Sequence, residues 1–265
     1  MNENDGQQRL KAEIKSFEKV WEGGYFEGDV LDPVGSSTYG AVGYVSVLHA
    51  LYLMAIKQYV NSETIALEIG PGRGAFSKAI LTQTPKELWC LDAVSAADNQ
   101  FFEYVGNKAE VKYIQVEDFS CSMLPEDHFN YLFSFGALCH VSFEGITSYL
   151  TNLYPKLKKG AECFIMVADY DKFNACLDNV ENLSVYKYLA FQKLIRLNWK
   201  WYKRRFKKMI GLRHYYPESQ EPAPGRWFHA GIKPTCSLLS SLGYLVVSED
   251  LGINQRDPII HFRKI

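Results

Sequence analysis

From residue 64 to residue 168 short apolar runs alternate with longer amphipathic ones, and few folds accommodate that alternation. Strand-like runs separated by helix-like runs make βα units. Their strands pair in parallel because each helix carries the chain back across one face of the sheet. The spacing predicts strands at 64–69, 87–92, 111–116, 129–134 and 161–168, with helices at 75–83, 97–105 and 145–157. The last helix is expected to close on Lys158, Lys159 and Gly160, a cationic final turn with glycine beyond it. A helix at 42–59 precedes the first strand. A helix at 234–242 and strands at 244–249 and 258–263, joined by a turn containing glycine and proline, read as a terminal antiparallel hairpin.

The composition supports a packed α/β chain. With 47% hydrophobic and 22% charged residues in 265, the apolar mass suffices for a core and excludes a disordered chain. Lysine plus arginine (29) balances aspartate plus glutamate (30), so no whole-molecule field draws the protein to nucleic acid or to a membrane. The longest uncharged apolar-leaning run, Ala41 to Ile56, is interrupted by Gly43, Tyr44, Ser46, His49 and Tyr52 and falls short of the ~20 apolar residues of a membrane span. Met1 to Lys11 is polar and lacks the basic-then-apolar order of a secretory signal, so a cytoplasmic protein is expected. Cys90, Cys121, Cys139, Cys163, Cys176 and Cys236 form no C-x-x-C pair and read as reduced core thiols; no metal-ligand spacing is present, and no metal is expected.

Between the fifth strand and the terminal hairpin lies an insertion, about 171–230. Tyr188, Phe191, Ile195, Trp199, Tyr202, Phe206 and Met209 recur there at helical spacing and predict one apolar helix face. Ten lysines and arginines and no carboxylate fall between Lys187 and Arg213. That basic face reads first as a solvated side of a lid, then as a clamp for a phosphate-bearing acceptor through Lys203, Arg204 or Arg205, then as an RNA or membrane-surface contact. The stretch from Pro217 to Gly225 reads as a loop.

Chemistry concentrates in LEIGPGRGAFSK (Leu67 to Lys78), where the first strand runs through Gly70, Gly72 and Gly74 into a helix. Glycines admit positive φ and close ligand approach, and the helix start offers unpaired N–H groups. Gly70, Gly72 and Ala75 also match the dinucleotide pattern G-x-G-x-x-G/A, so an NAD-dependent oxidoreductase competes. Three carboxylates favour another ligand. Glu68 beside the turn suits an ammonium rather than a pyrophosphate. Asp92, ending the second strand, is placed to accept from two ribose hydroxyls. Asp118, after the third, is placed to accept from an adenine amine while the Phe119 N–H donates to the ring. Together they describe a cationic amino acid joined to adenosine.

These residues resemble the class I S-adenosylmethionine-dependent methyltransferases: E-x-G-x-G-x-G at 68–74, Asp92, V-E-D-F at 116–119 and SFGALCHV at 134–141. The resemblance implies a Rossmann-like, seven-stranded, mostly parallel sheet in the order 3-2-1-4-5-7-6, strand seven antiparallel, with helices on both faces. It also implies S-adenosyl-L-methionine as cofactor. Glu68 and Gly70 would then face the methionine portion, Asp92 the ribose, Asp118 and Phe119 the adenine, and Ser134 to Gly136, including Phe135, the sulfonium end, with Gly72, Gly74 and Ala93 also in the cofactor site. In this organisation 1–60 is an arm and helix capping the site, 61–170 the cofactor-binding core, 171–230 a helical lid, and 231–265 the completion of the core. Trp21 to Gly40 also looks like the arm of small bacterial methyltransferases of sugar and surface-polysaccharide pathways, with Tyr25, Tyr39 and Tyr44 as covers for cofactor or acceptor.

If the acceptor is a hydroxyl, a base must take its proton, and histidine is the usual choice. His140, just after strand four, faces the mouth; its competing role is to orient the loop. His229, in RWFHAG with Arg226 and Trp227, is the second candidate and could swing over the site. His49 and His214 read as core and solvated. Asp169 and Tyr170, ending strand five, could hold the acceptor or make a structural hydrogen bond. SFGA in place of an N-P-P-Y tetrad favours oxygen as the methylated atom. The expected activity is O-methylation of a small polar acceptor such as a sugar or phosphorylated metabolite. An RNA methyltransferase using 187–213 and a non-catalytic nucleoside-binding module are the alternatives.

Overall fold

A computed structural model describes residues 3–21, 25–33, 46–173, 175–176, 206, 210, 227–254 and 257–265. The predicted strands form. They are β1 (Ile65–Ile69), β2 (Glu87–Asp92), β3 (Val111–Gln115), β4 (Phe129–Ser134), β5 (Leu157–Met166), β6 (Tyr244–Ser248) and β7 (Ile259–Lys264). One seven-stranded sheet joins them in the order β3-β2-β1-β4-β5-β7-β6, with β7 antiparallel to both neighbours. Every residue of β1 is buried, as the centre of a sheet covered on both faces requires. Leu67 and Ile69 join the core on one side, with Leu132, Ile165 and Phe262. Ala66 joins the other, with Phe76, Phe101, Tyr131 and Phe164.

The helices are α1 (Glu3–Val20), α2 (Val47–Leu51, continuing as a π turn over Tyr52–Ile56), α3 (Ala75–Leu81), α4 (Phe101–Val105), α5 (Phe143–Leu153) and α6 (Ile232–Ser241). Three differ from expectation. The helix expected over 145–157 starts earlier, capped by Ser142, whose side chain accepts from Gly145 N, and it ends earlier, at Leu153. Tyr154–Lys156 then form a 3₁₀ turn containing Pro155, which has no N–H to continue the α ladder. Lys158, Lys159 and Gly160 therefore lie in the opening of β5, not in a helical last turn. There the register slips from Phe129↔Leu157 to Tyr131↔Glu162, which accommodates the extra residues as a bulge. The helix expected over 97–105 shrinks to α4 because Ser95 and Asp98 close a turn on themselves, Ser95 Oγ accepting from Asp98 N at 3.1 Å, and Gln100 enters at φ 52°. The helix over 42–59 is seen from Val47, with Ser46 as its cap; 42–45 lie outside the described residues.

The third difference is an addition. Residues 3–20, of which 3–11 read as polar and the whole as part of a capping arm, form the helix α1, and Leu10, Ile14 and Phe17 pack on the sheet's first core. Its Glu13 accepts from Ser142 N at 2.5 Å and Ser142 Oγ at 2.7 Å, which ties α1 to the start of α5. Burial raises the Glu13 pKa although these two bonds oppose the shift. The predicted basic helix of the insertion falls outside the described residues, apart from Phe206 and Ile210. No disulfide forms among the described cysteines. No helix of the described residues is long and apolar enough to cross a membrane.

Candidate functional site

In an open α/β sheet the crevice for ligands lies where the strand order reverses, outside the carboxyl ends of the strands. Here that point is between β1 and β4, and the loops leaving those strands touch. Gly70 sits at φ 69°, and a Cβ there would stand 2.1 Å from Ala137 Cβ. No side chain fits, so the sequence must supply glycine. Gly72 is pressed equally from above: a Cβ would come within 2.8 Å of Tyr25 O. Gly74 caps α3 against Phe101 and Val105. The protein's own packing thus demands these glycines, and a ligand site has to be argued from what surrounds them.

What surrounds them is a cavity of about 360 Å³. Its floor includes Gly70, Gly72, Leu91 and Asp92, and its sides include Phe119, Asn99, Phe135, Gly136 and His140. The half-buried Asp92 is fixed by two backbone donors, with Oδ2 accepting from Gly72 N at 3.1 Å and Oδ1 from Val94 N at 2.9 Å. Burial raises its pKa to about 6, against the pull of those N–H groups and of Asn99. Glu27 contributes a second carboxylate to the wall. Burial and, less strongly, the charge of Asp92 push it to about 7.

Glu68 lies elsewhere. It is 2% exposed and points beneath the turn, where it accepts from Ser77 Oγ at 2.5 Å and lies 3.9 Å from Cys90 Sγ. Burial pushes its pKa to about 8, so at neutral pH it is a protonated acid inside the core. It does not line the cavity, contrary to its expected place beside a methionine portion. Asp118 is off the wall too. Its Oδ1 accepts from Ser120 N at 2.9 Å and closes its own turn, and the net shift of its pKa is downward, burial opposing and the Ser120 bonds outweighing it. Ser134 donates to Ile69 O at 3.1 Å and is buried between strands. Ala93, Phe119 and Phe135 do line the cavity.

Toward β4 and β5 the wall is aromatic. His140 ends a 3₁₀ turn, is 8% exposed, and stands between Trp21 and Trp227, with ring centroids at 5.1 Å and 5.2 Å. Trp21 in turn meets the half-exposed Tyr25 edge-on at 5.5 Å. The other expected acceptor residues are knitted together outside the cavity. Asp169 is buried, with Oδ1 accepting from Lys172 N and Oδ2 from Ile232 N, both at 2.8 Å. Tyr170 OH donates to Trp227 O at 2.7 Å, and Tyr170 N donates to His229 Nδ1 at 3.0 Å. That bond leaves the His229 proton on Nε2, directed toward Asp171 at 4.0 Å rather than toward the cavity. Asp169 and Tyr170 thus make the structural hydrogen bonds that are the second reading of that pair, and His229 accepts one of them. Tyr39, Tyr44 and Arg226 lie outside the described residues. Among the described residues no group of three His, Cys, Asp or Glu converges on a metal position.

The sequence reading missed Ile14, Phe17, Trp21, Glu27 and Asn99 on the cavity wall. Leu10, Ile14 and Phe17 at steps of four and three were a helical signal in plain view. Nothing local distinguishes Glu27 from its acidic neighbours Glu22 and Asp29.

No family model matches the sequence, and no curated protein matches it. Solved structures do. A Listeria monocytogenes protein assigned to the S-adenosylmethionine-dependent methyltransferases superposes with a TM-score of 0.54 at 15% identity, covering 83% of this chain and 98% of that one. An S-adenosylmethionine-dependent methyltransferase of Mesorhizobium loti gives 0.53 at 11% identity, over 83% and 98% of the two chains. The chain has the methyltransferase fold. A Methanosarcina mazei protein of the same description adds a TM-score of 0.51 at 14% identity, over 78% and 95%. The strand order and the antiparallel β7 of the methyltransferase fold are those expected from the sequence.

Proposed function

We propose that the protein is an S-adenosylmethionine-dependent methyltransferase that acts on a hydroxyl oxygen of a small polar acceptor, such as a sugar or a phosphorylated metabolite. One observation carries the reading. At the switch point of the sheet, a cavity joins a carboxylate oriented by two backbone N–H groups, Asp92, to a buried histidine held between two tryptophans. The wall fits a positively charged nucleoside: among the described residues it carries Glu27 and Asp92 and neither lysine nor arginine. Asp92 would accept from ribose hydroxyls, with Ala93, Asn99 and Phe119 beside the nucleoside.

When bound, the cofactor supplies a methyl group on a sulfonium. The chain's task is to align an acceptor with it, exclude water and receive a proton. Alignment in an enclosed pocket supplies effective molarities on the order of 10⁵ M or more in well-oriented cases. Trp21, Tyr25 and Trp227 give the acceptor flat walls, and His140, at the aromatic end of the cavity, takes the hydroxyl proton. SFGA after β4, in place of an amide-bearing tetrad, supports oxygen over nitrogen.

The test is a labelled-methyl assay against a metabolite mixture read by mass spectrometry, beside calorimetry with the donor. The parent is expected to bind donor and label an acceptor. His140→Gln is expected to bind donor like the parent and lose about 10²–10⁴ in kcat. Undiminished turnover by His140→Gln removes it as the base; donor binding with no labelled product points to a nucleoside-binding module.

A further inference from the structure

The stretch 25–29 crosses the glycine turn as irregular backbone, and two contacts hold it there. Arg73 N donates to Tyr25 O at 3.1 Å, and Gly72 lies directly against that same oxygen. Glu27 is thereby carried to the cavity wall on a strap clamped to the turn itself. Its Oε1 lies 3.5 Å from where a Cβ on Gly136 would stand, so the side chain reaches from the β1 loop toward the β4 loop. Its Oε2 is buried and has no hydrogen-bond partner among the described residues.

A buried carboxylate oxygen without a donor is costly, and native proteins rarely keep one unless a ligand or ion completes it. Among the described residues no lysine or arginine lines the cavity to do so; Asp92, the other carboxylate on the wall, only adds negative charge. Glu68, the acid the motif would nominate, faces away from the cavity and accepts from Ser77 beneath the turn. A cation with N–H donors, within reach of both glycine-containing loops, would satisfy this oxygen and offset the two carboxylates together. A sulfonium has no hydrogen to give; an ammonium has three.

We infer that Glu27, and not Glu68, receives the ammonium of the donor's amino-acid portion, so that the strap 25–29 closes over the donor through this ion pair. The inference rests on the donor reading above.

Calorimetry on the full chain with three probes tests it: S-adenosylmethionine, S-adenosylhomocysteine, and 5′-methylthioadenosine, which keeps the adenosine and sulfur but lacks the ammonium. Glu27→Gln is expected to weaken the first two alike, by about ten- to a hundred-fold, and to bind methylthioadenosine like the parent, which also shows that the variant is folded. Equal weakening of all three overturns the assignment, because Glu27 would then only brace the strap. Unchanged affinities with reduced turnover overturn it too, by placing Glu27 at the acceptor. A parent that binds none of the three defeats the donor reading itself, an outcome visible without the variant.

Discussion

The two halves of the sheet's carboxyl edge are built in opposite ways. Around β1 and β2 the cavity wall is made by residues close in sequence to their strands: Gly70, Gly72, Asp92 and Ala93 sit at or just past a strand end, and Asp92 is oriented by N–H groups of the neighbouring loops. Around β4 and β5 the strand-end residues Asp169 and Tyr170 are absorbed into structural hydrogen bonds. Beside Phe135 and Gly136 after β4 and Met166 at the end of β5, the wall there is completed by Trp21, His140 and Trp227, from segments far apart in the chain. The lesson is that one half of the site is a property of motifs and the other a property of packing. Fold likeness at 11–15% identity speaks to the sheet and to neither half of the site.

Substitutions can separate the halves. The largest effect belongs to the motif half. Asp92→Ala removes a carboxylate placed for two hydroxyls, and donor affinity by calorimetry is expected to fall about a hundred-fold or more. Affinity equal to the parent's would show that the wall at β2 is not a nucleoside site. The packing half should respond in stability instead. Asp169→Ala leaves the Lys172 and Ile232 N–H groups unsatisfied, which costs about 2 kcal/mol or more and lowers Tm by roughly 5 °C, with donor affinity retained. A large loss of donor or acceptor binding without a change in Tm would return Asp169 to the site.

The smallest effect concerns the acid beneath the turn. Glu68 holds its proton to about 8 in the folded protein and has an ordinary value of 4.5 when unfolded. Between those values the folded state binds more protons. Its contribution is therefore complete below 4.5 and is lost as pH rises through about 8. Thermal melting of the parent should fall across that window, and Glu68→Gln should flatten the dependence. A slope identical in parent and variant would assign it to Glu13, Glu27 or Asp92, whose values are raised in the same direction.

The sheet was legible because periodicity and glycine punctuation are local signals, and every strand fell within a few residues of its expected place. Errors arose where a non-local contact won. Pro155 and the β4–β5 pairing ended α5 early, and docking against the sheet made a helix of an arm whose first residues read as polar. The candidate site divides similarly. Asp92, Phe119 and His140 were legible from strand ends. Glu68 was misplaced because a strand's two-residue alternation decides which face a side chain takes, and Glu68 shares the face of Ala66, toward α3. Glu27 and Trp21 left no local signal, since only the fold brings them to the turn.

The tie between Glu13 and Ser142 spans 129 positions, and Ile14 and Phe17 help wall the cavity. During synthesis the first twenty residues emerge long before the surface they cover exists. At about 5–20 residues per second, on the order of ten seconds separates the two partners. The α1 face of the pocket therefore cannot close until Ser142 and α5, made well after it, are in place.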